Sequence, residues 1–259
     1  MALTFGTATS DRLTCGSGAS IDTLDPFTYL TWVYPTTITS GRIHGFHKGT
    51  SPITRARFRL DNASGHMSVF VQRAGVDLSY IANNEPLVVN AWQFAAATFN
   101  SAAAVGSIAH IYRGTLSAAA VEVTYGTKTD GDGARNNDGA NDLQIGNSNN
   151  TTLALQGRIA VVAYLAQEMT LPQIISWQWR PRSTATTKLF IILGSAAAAS
   201  VQPDWTGNAN NGTPTGLAMA DHVPLGPWFG HQFGWPGAFT AAAPPAVTRH
   251  GLLSLGVGH

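Results

Sequence analysis

The one acidic cluster of this sequence lies in residues 127–142, where Asp130, Asp132 and Asp138 stand among glycines and asparagines. Calcium binds several hard oxygen ligands on a flexible loop, so these three aspartates are the candidate metal ligands. The run D-G-D-G-A-R-N-N-D lacks the bidentate glutamate of the helical calcium loop, and Arg135 lies inside it. We therefore predict a solvated loop and no cofactor, with calcium binding as the alternative.

Hydrolytic chemistry has little support. Retaining glycosidases use two carboxyl groups about 5 Å apart, whereas Glu85, Glu122 and Glu168 are isolated along the chain. His44 and His47 are three residues apart on a predicted strand and should point to opposite faces, which is poor geometry for a shared metal. The sequence shows no nucleophile elbow, HExxH, Walker loop or CxxC pattern. We predict that the protein is not an enzyme.

Exposed aromatic side chains are the candidates for ligand or partner contacts. Trp205, in a turn-rich segment, could stack on a sugar ring. Five more aromatic residues lie after residue 224, in a stretch rich in Gly, Pro and Ala: Trp228, Phe229, Phe233, Trp235 and Phe239. Free disordered tails usually lack such residues. We therefore predict one domain over residues 1–223 and a docking arm over residues 224–259.

A run of alternating arginines is the second candidate for partner contacts. Arg55, Arg57 and Arg59 lie in a β-like run, and period two places all three on one face of a strand. We expect this face to be wet or to meet a partner.

The elements that must position these residues are mostly β-strands. Short runs of Val, Ile, Thr, Phe and Tyr are separated by Gly, Asn, Asp or Pro. The clearest strands are residues 27–34, 93–99, 155–164 and 188–193, and residues 67–81 read as a hairpin. Residues 118–125 read as one strand and residues 204–216 as a loop. One short helix is predicted from Thr170, its N-cap, with Pro172 in the first turn.

The composition excludes several classes of protein. Only 11% of the 259 residues are charged and the net charge is +1, against about 25% charged residues in a typical domain. These values argue against a general nucleic-acid binder, and no apolar run approaches the length of a membrane span. The charged residues are 12 Arg, 3 Lys, 11 Asp and 3 Glu. Because interfaces favour Arg and disfavour Lys and Glu, we expect part of the surface to be covered by neighbouring subunits.

Several local motifs, taken together, resemble the LamG-like jelly rolls of the concanavalin A-like lectin/glucanase superfamily. FTYLTWVYP (27–35) resembles their early strand ending in W-x-x-P, and NAWQFAAATF (90–99) is similar to their x-W-x-x-V-A-x-T-Y strand. The most specific stretch runs from LQIGN (143–147) through LQGRIAVVAY (155–164) to EMTLPQI (168–174). DWTGNANNGT (204–213) resembles a segment that usually comes first in this family and here comes last.

The resemblance implies an all-β fold, a two-sheet antiparallel jelly-roll sandwich with one short helix, here extended by the C-terminal arm. It also implies calcium sites at one edge of the sandwich in many relatives. Sequences with this motif order, including the ending DHVPLG (221–226), resemble proteins encoded by tailed phages.

The function expected from these observations is structural. The leading hypothesis is a virion accessory protein of a tailed phage, a capsid decoration or fibre-associated subunit, made in the host cytoplasm and located in the virion. Its partners would be other virion subunits and further copies of itself, and it would bind neither nucleic acid nor membrane. The alternative is a glycan-binding, lectin-like adhesin, assisted by calcium.

Overall fold

The computed structural model describes residues 1–6, 8, 10–38, 43–50, 53–61, 66–83, 87–148 and 154–224. Their elements are sixteen β-strands, a 3₁₀ turn at Ala19–Ile21 and one α-helix. The strands are β1 Ala2–Phe5, β2 Arg12–Thr14, β3 Phe27–Pro35, β4 Ile43–Thr50, β5 Ile53–Asp61, β6 Ser68–Val71, β7 Leu78–Ala82, β8 Gln93–Phe99, β9 Ala109–Thr115, β10 Val121–Glu122, β11 Tyr125–Thr129, β12 Leu143–Ile145, β13 Gly157–Leu165, β14 Thr187–Ile192, β15 Thr213–Thr215 and β16 Ala218–Ala220, and the helix is α1 Leu171–Trp179.

The strands form two antiparallel sheets of eight. The first sheet has the order β10-β9-β8-β3-β13-β1-β16, and β14 pairs with β13 beyond the end of β1. The second sheet has the order β11-β7-β6-β5-β4-β12-β2-β15. Neighbours in both sheets come from distant parts of the chain, since β13 joins β3 in the first and β12 joins β4 in the second. This is the predicted two-sheet jelly-roll sandwich.

Aromatic side chains from both sheets fill the core between them. Phe27, Tyr29 and Tyr164 come from the first sheet, Phe46 and Phe58 come from the second, and all five are fully buried. The rings of Tyr29 and Phe46 lie 4.8 Å apart across the core. The Tyr29 hydroxyl donates to the carbonyl oxygen of Gly45 at 2.7 Å, so its polar end is satisfied inside the sandwich.

Helix α1 covers the outer face of the first sheet. Trp177 packs on Phe94 at 5.9 Å, and the Trp32 indole donates to the carbonyl oxygen of Gln178 at 3.0 Å. The Gln178 amide bonds the turn between β9 and β10, and a Cβ at Gly114 would lie 2.6 Å from its nitrogen. Because the helix covers this face, strand β13 is apolar on both sides, as its sequence predicted.

Three predicted segments were wrong at their boundaries. Residues 118–125 are not one strand: β10 belongs to the first sheet and β11 to the second, because the chain crosses between sheets at the buried Val123. Strand β11 therefore enters the segment 127–142 that was predicted as loop, and β15 lies within the predicted loop 204–216. The hairpin of residues 67–81 is confirmed as β6 and β7, with a wider turn than predicted.

Within the described residues, no helix has the length and apolar character needed to span a membrane.

Candidate functional site

One residue from each strand of the second sheet forms a continuous row on the face that points away from the core. We call it the outer row, and adjacent members are paired across neighbouring strands. In strand order it is Thr129, Ser79, Phe70, Arg57, His47, Gln144, Thr14 and Thr213. Near the middle of the row, the adjacent residues His47 and Gln144 are only 5% and 7% exposed, whereas Thr213 at one end is exposed. These two side chains therefore lie lower than their neighbours on this face, and we call the part of the row around His47 and Gln144 the recess.

The arginines of β5 lie on this face. Ala56, Phe58 and Leu60 point into the core, and Arg55, Arg57 and Arg59 alternate with them in half-buried positions. The predicted shared face of the three arginines is therefore present in the structure. Their role in partner docking stays a prediction.

Arg57 occupies the centre of the outer row. Its guanidinium lies 4.7 Å over the ring of Phe70, a cation–π contact that fixes the orientation of both groups. Its Nε is buried and has no hydrogen-bond partner among the described residues, and the same holds for Oε1 of Gln144. Both of these unmatched atoms lie beneath the surface, the donor on one side of His47 and the acceptor on the other.

The electrostatics of the recess are positive. Burial lowers the pKa of His47 to about 4, and the charges of Arg57 and Arg59 lower it further in the same direction. Burial, followed by the charge of Arg59, lowers the pKa of Arg57 to about 10. At neutral pH His47 is therefore uncharged, and its Nε2 lies 3.3 Å from the hydroxyl of Thr54.

The predicted metal ligand Asp138 lies in a buried ionic network. Its Oδ1 accepts from the Lys48 ammonium at 2.9 Å and from the backbone N–H of Thr23 at 2.6 Å. Arg135 donates to its other oxygen. Lys48, fully buried, also donates to Asp22 at 2.7 Å and to the carbonyl oxygen of Ile21 at 2.9 Å. Two cations therefore occupy the positions next to Asp138 that a metal ion would need.

Asp130 and Asp132 accept hydrogen bonds that hold neighbouring loops in place. Asp130 accepts from the Tyr80 hydroxyl and, at 2.5 Å, from the backbone N–H of Gly106. Asp132 accepts from the backbone N–H of Val76. The described residues contain no group of three or more His, Cys, Asp or Glu that could hold a metal ion. The three predicted ligands are thus not brought together, and calcium binding stays an untested alternative.

Trp205 lies beside β14 of the first sheet, and its backbone N–H donates to the carbonyl oxygen of Phe190 at 2.9 Å. Its side chain is 38% exposed. The loop that carries it is ordered by Asp204, which accepts from the N–H groups of Phe190 and Asn210 at 3.0 and 3.1 Å.

The arm residues Trp228, Phe229, Phe233, Trp235 and Phe239 lie outside the described residues, as does the side chain of His44.

The fold brings together two glutamates that look isolated in the sequence. Glu122 Oε1 lies 2.7 Å from Nδ1 of His110, and Glu168 Oε1 lies 3.9 Å from Nε2 of the same ring. Tyr125 donates to Glu122 at 2.8 Å and Asn100 donates to Glu168 at 2.8 Å. Because the imidazole lies between the two carboxyl groups, they do not face a common space for a sugar or a water molecule. No spacing in the sequence signals this cluster, since it depends on how β9, β10 and the segment before α1 pack.

The architecture and the outer row define a lectin-like β-sandwich. The family model of the concanavalin A-like lectin/glucanases superfamily matches residues 6–175, and the chain belongs to this superfamily. Comparison with curated proteins found no match.

Solved structures share the fold at low sequence identity. A Bacteroides ovatus protein described as carbohydrate-binding superposes with a TM-score of 0.59 at 18% identity, over 85% of this chain and 59% of that one. Tailspike protein 2 of an Escherichia coli O157:H7 bacteriophage gives 0.49 at 12% identity, over 71% of this chain and 25% of that one. A heptameric pentraxin from Limulus polyphemus gives 0.45 at 11% identity, over 74% and 90%. The chain thus spans about three fifths of the Bacteroides protein's length.

Proposed function

We propose that the protein is a non-catalytic glycan-binding module and that its ligand lies along the outer row. The observation that carries the proposal is the row itself. Across the second sheet it combines hydroxyl, amide, imidazole and guanidinium groups with one aromatic ring, Phe70. A recess with a few convergent polar groups beside an aromatic side chain is what saccharide recognition needs, because a sugar has both hydroxyl groups and an apolar face.

The arrangement of carboxylates supports a binding role over a hydrolytic one. Glycoside hydrolysis uses two carboxyl groups that face the scissile bond. Among the described residues, the members of the outer row carry no carboxylate, and Glu122 and Glu168 are separated by His110. The outer row therefore has groups to hold a sugar and lacks the pair that would cleave it.

A glycan array followed by calorimetry with the best ligand tests the proposal. Phe70→Ala should weaken binding at least tenfold, since it removes the ring and the support of Arg57. Tyr34→Ala is the matched control, because Arg158 lies 5.0 Å over the Tyr34 ring on the other sheet in the same kind of contact. Tyr34→Ala should bind as the wild type does.

One further result would contradict this placement of the site, and another would show that binding depends on a metal ion. Binding that is lost in Trp205→Ala and kept in Phe70→Ala would move the site to the loop beside β14. Binding that disappears with EDTA would make the module calcium-assisted, which the ionic network around Asp138 argues against.

A structural role in a phage particle is the second candidate. It is supported by the resemblance of the motif order to phage-encoded sequences and by valines with high exposure, Val105 at 89%, Val88 at 60% and Val76 at 54%. Exposed apolar side chains of this kind suit an interface with virion subunits or with further copies of the chain. Mass spectrometry of purified virions tests this role, and absence of the protein from the particle would exclude it.

A further inference from the structure

We propose that the glycan bound along the outer row is acidic, a polysaccharide that carries carboxylate or sulfate groups at regular intervals. This inference rests on the proposed function and specifies the class of ligand. It predicts that charge, rather than the pattern of hydroxyl groups, dominates recognition at this face.

The first argument is the lack of counter-charge. Lys48, Arg135 and Arg158 each lie within 4.0 Å of a carboxylate oxygen elsewhere in the structure. Arg55 and Arg57 have no such carboxylate partner among the described residues: Arg55 donates to the amide oxygen of Gln72 at 2.5 Å, and Arg57 lies over Phe70. A half-buried cation with no anion beside it is costly, and a bound anion would relieve that cost.

The second argument is the spacing of the cations. Alternate residues on a strand are about 6.6–6.8 Å apart. Arg55 and Arg57 lie on Gln72 and Phe70, so their guanidinium groups follow one another along β5 on the face of the outer row. A polymer lying along β5 would meet a cation at each step. A single small anion would use only one of them.

The third argument is the chemistry at Arg57. Its contact with Phe70 fixes the plane of the guanidinium, and a fixed guanidinium can bind a carboxylate or sulfate through two parallel hydrogen bonds. The two terminal nitrogens of Arg57 would supply these hydrogen bonds, because its Nε is buried. The lowered pKa of Arg57, caused by burial and by Arg59, is the direction expected of a guanidinium without an anion nearby.

The test is calorimetric titration of the full chain with three polysaccharides: polygalacturonate, which carries carboxylates, dextran sulfate, which carries sulfates, and neutral dextran. We expect one or both acidic polymers to bind, more weakly as salt is added, and dextran not to bind. Arg57→Gln should lower the affinity about tenfold to a hundredfold, the range expected for a lost charge-assisted hydrogen bond. Arg57→Lys, which keeps the charge and loses the fork, should be intermediate.

Arg158→Gln is the matched control, because Arg158 has the same kind of aromatic contact on the first sheet but lies 3.7 Å from Asp221. It should bind as the wild type does. Arg55→Gln is a second variant in case Arg57→Gln misfolds. It changes a half-buried side chain whose one side-chain hydrogen bond among the described residues is to Gln72, and it should also weaken binding. Each variant is compared with the wild type by thermal melting.

The outcomes separate this inference from the proposed function. Binding of neutral glycans that is lost in Phe70→Ala and unchanged in Arg57→Gln would overturn the acidic ligand and keep the glycan site. Binding of an oligonucleotide as tight as that of the acidic polysaccharides would overturn the acidic glycan as the specific ligand. No binding of any glycan would overturn both proposals.

Discussion

Lys48 is a lysine with no exposed surface, held by the carbonyl oxygen of Ile21 and by the carboxylates of Asp22 and Asp138. Its three donors are therefore satisfied inside the sandwich. Such a network is sensitive to the loss of one member, because the remaining charges stay buried without a partner.

We expect Lys48→Met to lower the free energy of unfolding by about 3–5 kcal/mol, the range for a broken buried ion pair. Urea unfolding measures the change. Lys188→Met is the control, since the Lys188 side chain is only half-buried and has no ion pair among the described residues. An equal loss in both variants would show that the ionic network does not determine the effect.

His47 makes stability depend on pH. Its pKa is about 4 in the folded protein, against 6.5 for an ordinary histidine, because burial and then the arginines of β5 disfavour its charged form. Between these values the unfolded chain binds the proton and the folded chain does not, so stability falls as the pH decreases from about 6.5 to 4. The loss attributable to His47 is about 2–3 kcal/mol.

Urea unfolding at several pH values should show this loss in the wild type together with a second one of similar size, so about half of the slope should remain in His47→Gln. The remainder is expected from His222, whose pKa burial also lowers to about 4. A His47→Gln variant with the wild-type slope would place the titrating group elsewhere.

At the scale of the element, helix α1 is held on the first sheet by the side chains of the helix face that points towards that sheet. Trp177 is 2% exposed and packs on Phe94 and Phe190, whereas Trp179 is 39% exposed. We expect Trp177→Ala to cost about 3–5 kcal/mol of unfolding free energy, as for other large core aromatics. Trp179→Ala, the same change two residues later, should cost well under half as much. Chemical denaturation of both variants provides the comparison, and equal costs would mean that the helix is not anchored through Trp177.

The elements differ in how far the sequence predicted them. Helix α1 was predictable because Thr170 and Gln173 form a capping box and Pro172 lies in the first turn. Strands β3, β8 and β13 are long and apolar, so their patterns are clear. Strands β1, β2 and β16 have three or four residues each, which is too few for a period to be read. Their existence depends on pairing with longer strands, such as β1 with β13.

At the scale of the whole molecule, the prediction concerns the C-terminal segment. Residues Met1–Leu225 form one compact unit, and both sheets and their core lie within it. We expect a chain ending at residue 225 to keep the melting temperature of the full protein. If the docking arm of residues 224–259 drives assembly, the chain ending at residue 225 should lose self-association, measured by light scattering after size-exclusion chromatography. Assembly that is unchanged by the truncation would contradict the arm hypothesis.

The sequence by itself determined the fold class and the face on which the arginines of β5 lie. Both follow from local rules, since alternation along a strand requires only the order of neighbouring residues. The same rules located the aspartates of residues 130–138 without revealing their partners.

Only the tertiary structure decided what those residues contact. Lys48 and Asp138 are 90 positions apart in the chain, and the outer row joins eight strands whose register is set by pairing across the sheet. His110 meets Glu122 and Glu168 for the same reason. A one-residue slip of a strand would turn its side chains to the other face, so these contacts depend on the register that the packed core imposes. That register is a property of the folded molecule, and no single segment encodes it.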